Sequence, residues 1–256
     1  MIKSLIKKFC IPLTRSAAEV APNPDGSEYE VNNWILSEFV LKRLVPVVGV
    51  HPYPLNELML MAGAVCRFRP THVFEWGTNV GSSARVFFET ARQFAIPLEI
   101  HSIDLPPEVG HVEHPGSRRG ELVRGKPGVT LHLGDGLETS LGIARAMPAG
   151  GQALFFVDGD HGYASVKREL ASILDTVKNP VVLLHDTFYQ SAGSGYNIGP
   201  FEAVRDVLSE VADPARFRTV VTNMGLPGMT LVYPGQYRTL NIEHRTSNIQ
   251  NFDVRC

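Results

Sequence analysis

Acidic residues recur in this sequence where a short apolar run gives way to a turn. Leu154-Phe155-Phe156-Val157 runs into Asp158-Gly159-Asp160-His161-Gly162-Tyr163, and Val181-Val182-Leu183-Leu184 runs into His185-Asp186-Thr187. An apolar strand that releases two acids and a histidine into a turn is hard to explain by packing. Two carboxylates brought together repel, and a divalent cation or a shared proton relieves the repulsion. Asp158 and Asp186 are therefore candidates to converge on one site; the alternative for either is to cap the next helix. His161, with an ordinary pKa near ~6.5, is a candidate general base beside them, or a residue that only orders the turn. His185 still belongs to its strand and reads as a ligand neighbour rather than a base.

The same pattern appears upstream. Val73-Phe74-Glu75-Trp76 leads into Gly77-Thr78-Asn79-Val80-Gly81-Ser82-Ser83, where Gly77 and Gly81 allow close approach of the backbone to a ligand and a helix start offers unpaired amides. The loop is not the Gly-x-Gly-x-x-Gly dinucleotide fingerprint. Its preceding acid suits a cationic or amine-bearing ligand better than a pyrophosphate. Ile100-His101-Ser102-Ile103-Asp104 ends in a carboxylate that can accept both hydroxyls of a ribose, or that caps the turn before Pro106. Leu133-Gly134-Asp135-Gly136 ends in another, suited to an exocyclic adenine amine or to a helix N-cap.

The elements that must position these residues follow from periodicity. Strands are expected over 71–76, 98–104, 129–133, 153–158 and 181–185, with helices over 80–94, 137–147, 163–177 and 201–211. That alternation implies a mostly parallel α/β sheet with helices on both faces, which gathers ligands beyond the carboxyl ends of its strands. Strands near 218–222 and 229–233 are joined by too short a link for a crossover, so they pair antiparallel. Ahead of the sheet, Val31, Trp34, Ile35, Phe39 and Leu41 place one helix that Pro46 ends, and residues 55–67 form a second. The expected organisation is a helical extension over 1–70, with an irregular lead-in at 16–29, then the α/β domain over 71–234 and a polar tail over 235–256.

Composition narrows the classes. The chain has 256 residues, 24 Lys+Arg against 26 Asp+Glu, and 44% hydrophobic residues, which excludes wholesale disorder and lacks the basic footprint of a nucleic-acid partner. No apolar run approaches the ~20 residues of a membrane span. Three cysteines far apart, Cys10, Cys66 and Cys256, form neither a disulfide framework nor a zinc pattern, so the expected location is the cytoplasm. Trp34, Phe39 and Leu44 are candidates for a homo-oligomer contact.

Together, the Glu75-x-Gly77-Thr78-x-x-Gly81-Ser82-Ser83 segment, the Val157-to-Tyr163 turn with Val166 and Leu170 after it, and the His185-Asp186 pair resemble a class I S-adenosylmethionine-dependent methyltransferase over residues 71–233. Within that superfamily they are similar to a small-molecule O-methyltransferase group that includes macrolide-sugar O-methyltransferases and proteins labelled cephalosporin hydroxylase. The resemblance implies a Rossmann-like seven-stranded sheet, S-adenosylmethionine as donor and a hydroxyl of a sugar or natural product as acceptor. It implies that Glu75, Gly77, Thr78 and Ser83 meet the donor's methionine half, with Gly81 also binding the donor. Asp104 would hold the ribose, and Asp135 with Gly136 would lie beside the adenine. Asp158 and Asp186 match magnesium ligands, with His185 beside them where relatives carry an acid or amide. The alternatives are a metal-independent enzyme using His161 as base and a nicotinamide-dependent oxidoreductase. Two segments could select the acceptor: Leu105–Gly128, with Pro106, Pro107, His111, His114, Arg118 and Arg119, and Phe188–Pro200, with Tyr189, Tyr196 and three glycines.

Overall fold

A computed structural model describes residues 31–109, 116–222 and 224–235. Cys10, Cys256, His111, His114, the lead-in at 16–29 and the tail from 236 lie outside the described residues.

The first helix, α1 (Asn33–Phe39), starts where the Asn32 side chain accepts from the Ile35 amide at 3.1 Å. It does not stop at Pro46. A π-helical turn over Val40–Leu44 leads into α2 (Val45–Val48), which takes Pro46 in its first turn, where a missing N–H costs no hydrogen bond. The buried face is also not the expected one: Leu36, Phe39, Val40 and Leu44 pack inward, while Trp34, Ile35 and Leu41 face out. Phe39 and Leu44 are thereby part of this chain's own core and are not available to a second subunit. α3 (Leu55–Phe68) ends at Arg69 in the left-handed region, φ 44°.

From there strands and helices alternate as the periodicity requires: β1 (His72–Trp76), α4 (Ser82–Gln93), β2 (Glu99–Asp104), β3 (Val129–Leu133), α5 (Gly136–Arg145), β4 (Ala153–Val157), α6 (Tyr163–Thr176), β5 (Val181–His185), α7 (Gly199–Glu210), β6 (Phe217–Val221) and β7 (Met229–Pro234). One seven-stranded sheet has the order β3-β2-β1-β4-β5-β7-β6. The first five strands are parallel, and β7 runs antiparallel to both β5 and β6. The expected antiparallel hairpin is present, folded so that its second strand lies against the parallel sheet.

Apolar side chains alternate between two clusters, one on each face. Val73, Leu154, Phe156 and Leu183 point toward α1, α3 and α4, while Phe74, Phe155, Val182 and Leu184 point toward α5, α6 and α7. Strands β4 and β5 are buried along their whole length, as central strands covered on both faces should be. The helices before β1 share the first cluster with the sheet, so they are built into its core. Burial pushes the Cys66 thiol up to about 12, which leaves it an inert neutral group.

Candidate active site

The parallel strands put Trp76, Asp104, Leu133, Val157 and His185 at one edge of the sheet, and the turns that follow them carry the residues singled out by sequence. At the ends of β4 and β5 those residues meet. His161 Nδ1 lies 3.2 Å from Asp186 Oδ2, and its Nε2 lies 3.6 Å from Asp158 Oδ1. Donor atoms of Asp158, His161 and Asp186 all fall within 4.8 Å of one another. Asp186 adopts φ 56°, a left-handed conformation that Asp tolerates better than most residues. His161 is the most open of the three, with 39% of its side chain exposed.

His185 has a different position from the one expected. Its ring is buried, with Nδ1 2.9 Å from Asp158 Oδ1 and Nε2 3.0 Å from Glu57 Oε2. Both nitrogens face carboxylate oxygens, so both donate, which requires the protonated ring. Burial alone would lower its pKa, but the Asp158 charge and the hydrogen bonds to Asp158, Asp186 and Glu57 raise it strongly. A protonated imidazole with both nitrogens engaged has no lone pair for a metal. In this structure His185 serves as counter-ion to the acids, and the donor atoms that come within reach of one ion are those of Asp158, His161 and Asp186.

Asp158 is held from a second side by Tyr53, whose hydroxyl donates to Oδ2 at 2.7 Å. Burial would raise the Asp158 pKa, yet the His185 charge, the nearby His161 ring and the hydrogen bonds from His185 and Tyr53 lower it. Asp186 is lowered in the same way, burial being outweighed by His185 and His161, and its Oδ1 accepts from Tyr196 at 3.1 Å. The His161 pKa is raised by its interaction with Asp158 and by the Asp186 charge, against its partial burial. The repulsion expected between the acids is therefore relieved by imidazolium.

Glu57 and Tyr53 were not among the residues that sequence pointed to. Glu57 lies in the first turn of α3, fully buried, and its Oε1 accepts from the Gly228 amide at 2.8 Å. A signal was present. Glu57 shares a helical face with Leu60, Met61 and Ala64, all buried, so it is an acid at a core position.

Along β1 and β2 the acids serve other ends. Glu75 is enclosed, accepting from Ser83 at 2.6 Å and from Ser102, while Ser102 also pairs with Thr78 at 2.7 Å. Burial raises its pKa to about 7 in spite of those two serines. Glu75, Thr78 and Ser83 thus brace the glycine loop from beneath, and their side chains do not line the open edge as expected. Gly77 is placed by a close approach. It has φ 87°, and a Cβ there would stand 2.2 Å from the backbone oxygen of Asp158, so the loop lies against the end of β4. Gly81 forms the N-cap of α4 in the left-handed region.

Asp104 ends β2, but its Oδ2 lies 3.1 Å from Arg119 Nε, and Oδ1 accepts from the Leu105 amide. Arg119 is therefore an internal counter-ion, and exposed Arg118 pairs with Glu121, so neither stands ready for an anionic acceptor. Asp135 caps α5 through Oδ1, which accepts from the Glu138 amide at 2.9 Å. Gly136 packs on the Trp76 ring, where a Cβ would come within 2.3 Å of a ring carbon.

A family described as "Methyltransferase domain" matches residues 74–187, from within β1 to just beyond β5, so the match contains the glycine loop and Asp104, Asp135, Asp158 and Asp186. Over those residues the chain is similar to a methyltransferase domain. Solved structures agree on its fold. A methyltransferase from Podospora anserina bound to S-adenosylhomocysteine is 17% identical over 78% of this chain and 86% of its own, with a TM-score of 0.50. An O-methyltransferase from Bacillus cereus in complex with S-adenosylhomocysteine is 14% identical over 80% and 92%, also at 0.50. TomG of Streptomyces achromogenes, an O-methyltransferase of tomaymycin synthesis in complex with S-adenosylmethionine, matches at 14% over 80% and 91%, again at 0.50. No curated protein matches the sequence. Among the described residues, no helix is long and apolar enough to cross a membrane.

Proposed function

We propose that this protein is a methyltransferase that uses S-adenosylmethionine to methylate a hydroxyl of a small molecule, a sugar or a natural product, in the cytoplasm. The observation that carries the reading is the contact between the Gly77 turn and the end of β4, which sets the loop expected to receive the donor directly against the Asp158–His161–Asp186 cluster. The donor supplies an already activated methyl group, so alignment and preparation of the acceptor remain for the protein.

The loop backbone at Gly77 would approach the donor while Glu75, Thr78 and Ser83 hold that loop rigid. Asp104 would accept the ribose hydroxyls once Arg119 releases it, and Asp135, whose Oδ2 faces Arg168 at 3.5 Å, would lie beside the adenine. His161 would take the acceptor's proton in its neutral form, and Asp158 and Asp186 would stabilise the imidazolium that results. Because those acids also favour protonation of the resting ring, activity should rise with pH through the raised His161 pKa.

Asp158, His161 and Asp186 are also the residues that would hold a divalent cation, which would lower the pKa of an acceptor hydroxyl. An imidazole in the set suits a transition metal better than magnesium.

Calorimetric titration with S-adenosylhomocysteine tests the donor assignment. Binding at one site is expected, weakened at least ~10-fold by Asp104→Ala. Absence of binding, or equal affinity in the variant, would contradict it. Turnover that survives a strong chelator would support the His161 form, and turnover restored only by added metal would support the cation.

A further inference from the structure

A second histidine–carboxylate cluster lies at the other end of the same strands, away from the candidate active site. His72 opens β1, Glu99 opens β2, and His101 follows two residues later on the same face. Glu99 Oε2 is 3.7 Å from His72 Nε2 and 4.0 Å from His101 Nε2, and donor atoms of the three residues fall within 4.8 Å of one another. We propose that His72, Glu99 and His101 form a binding site for a divalent transition-metal ion of the zinc type.

Hydrogen bonding prepares both rings. The Thr71 hydroxyl donates to the Gln152 carbonyl at 3.2 Å, so toward His72 Nδ1, 3.0 Å away, it can only accept. His72 is therefore protonated on Nδ1 and turns the lone pair of Nε2 toward Glu99. On β3, His132 Nε2 lies 3.1 Å from His101 Nδ1, a partner that likewise leaves His101 Nε2 as the remaining nitrogen. That Nε2 is buried in a residue only 9% exposed and has no hydrogen-bond partner. A buried ring nitrogen without a partner is costly, and a metal bond would satisfy it.

Two imidazoles and one carboxylate make up a three-ligand zinc set, with a fourth position left for water. Tetrahedral coordination at ~2.0–2.2 Å brings ligand atoms to roughly 3.3–3.5 Å of one another, somewhat closer than these lie. The carboxylate can supply much of the movement, since the Glu99 side chain is 68% exposed. Thr71 and His132 would then be the outer partners that fix ring orientation, as such groups do around metal-bound histidine. The ion would tie β1 to β2 at their amino ends. This differs from the Asp158 cluster, where the imidazole nitrogens already face acids.

The test is calorimetric titration of the chelator-stripped full chain with Zn2+, with Co2+ absorption as a coordination readout. One equivalent is expected to bind here, with a tetrahedral Co2+ spectrum. Glu99→Gln and His72→Ala should each weaken that equivalent at least ~10-fold, and His132→Ala about 10- to 100-fold. Glu99→Gln changes an exposed side chain, so a loss there does not reflect misfolding, and S-adenosylhomocysteine binding by that variant should be unchanged. Asp186→Ala should leave this equivalent in place. The proposal is overturned if the wild-type chain takes up no zinc, if Glu99→Gln and His72→Ala bind it as tightly as wild type, or if Asp186→Ala alone removes the bound ion.

Discussion

The two halves of the sheet's carboxyl edge use the same residue type in opposite ways. Beyond β4 and β5, Asp158 and Asp186 turn toward each other and share His161 and His185. Beyond β1, β2 and β3, Glu75, Asp104 and Asp135 stay apart, each absorbed locally by serines, by Arg119 or by a helix amide. A strand end fixes where a carboxylate emerges. What it does there is set by the partner that arrives from elsewhere in the chain. Glu57 and Tyr53 come from before the sheet begins, and they engage His185 and Asp158 from that side.

The contrast predicts a stability difference first. Asp158→Ala strips a buried imidazolium of its main partner and should cost ~3–5 kcal/mol in denaturant unfolding, along with turnover. Asp104→Ala should cost far less, so similar losses at the two sites would break the comparison. Next in size is a pH effect. Glu75 has its pKa raised from an ordinary 4.5 to about 7, so the folded state holds a proton that the unfolded chain has lost. Stability from this group is full below 4.5 and declines as pH rises through about 7, by on the order of 3 kcal/mol. Glu75→Gln should flatten that decline in unfolding curves taken across the interval, and an unchanged slope would place the proton elsewhere. Third, Asp104→Ala should weaken S-adenosylhomocysteine by about 10- to 100-fold, while Asp158→Ala, if folded, leaves that affinity within a few-fold. Smallest is Asp135→Ala, which removes a cap worth ~1 kcal/mol in thermal or chemical unfolding. Weaker donor binding in that variant would add the adenine role to the capping one.

The sequence made the sheet legible because short continuous apolar runs and short links constrain topology strongly. Val129–Leu133 and Val181–His185 have the expected bounds, and the short link between the last strands did imply an antiparallel pair. It was weaker where local and tertiary demands compete. Pro46 should end a helix, but a π-helical turn absorbs it, and Trp34 is exposed because Leu36 and Phe39 fill the core instead. Asp158, His161 and Asp186 could be placed together because strand order dictates it. The state of His185 could not, since it depends on Glu57, 128 residues away in the chain. Likewise nothing near Glu75 distinguishes an acid that faces a ligand from one closed in by Ser83 and Ser102.

A crystal structure of the full chain with S-adenosylhomocysteine tests the central claim most directly. The account predicts the ribose hydroxyls on Asp104 with Arg119 displaced, the chain of the amino acid over the Gly77 turn, and the sulfur facing the Asp158–His161–Asp186 cluster. A complex in which Arg119 keeps Asp104 and the sulfur lies away from that cluster would contradict it.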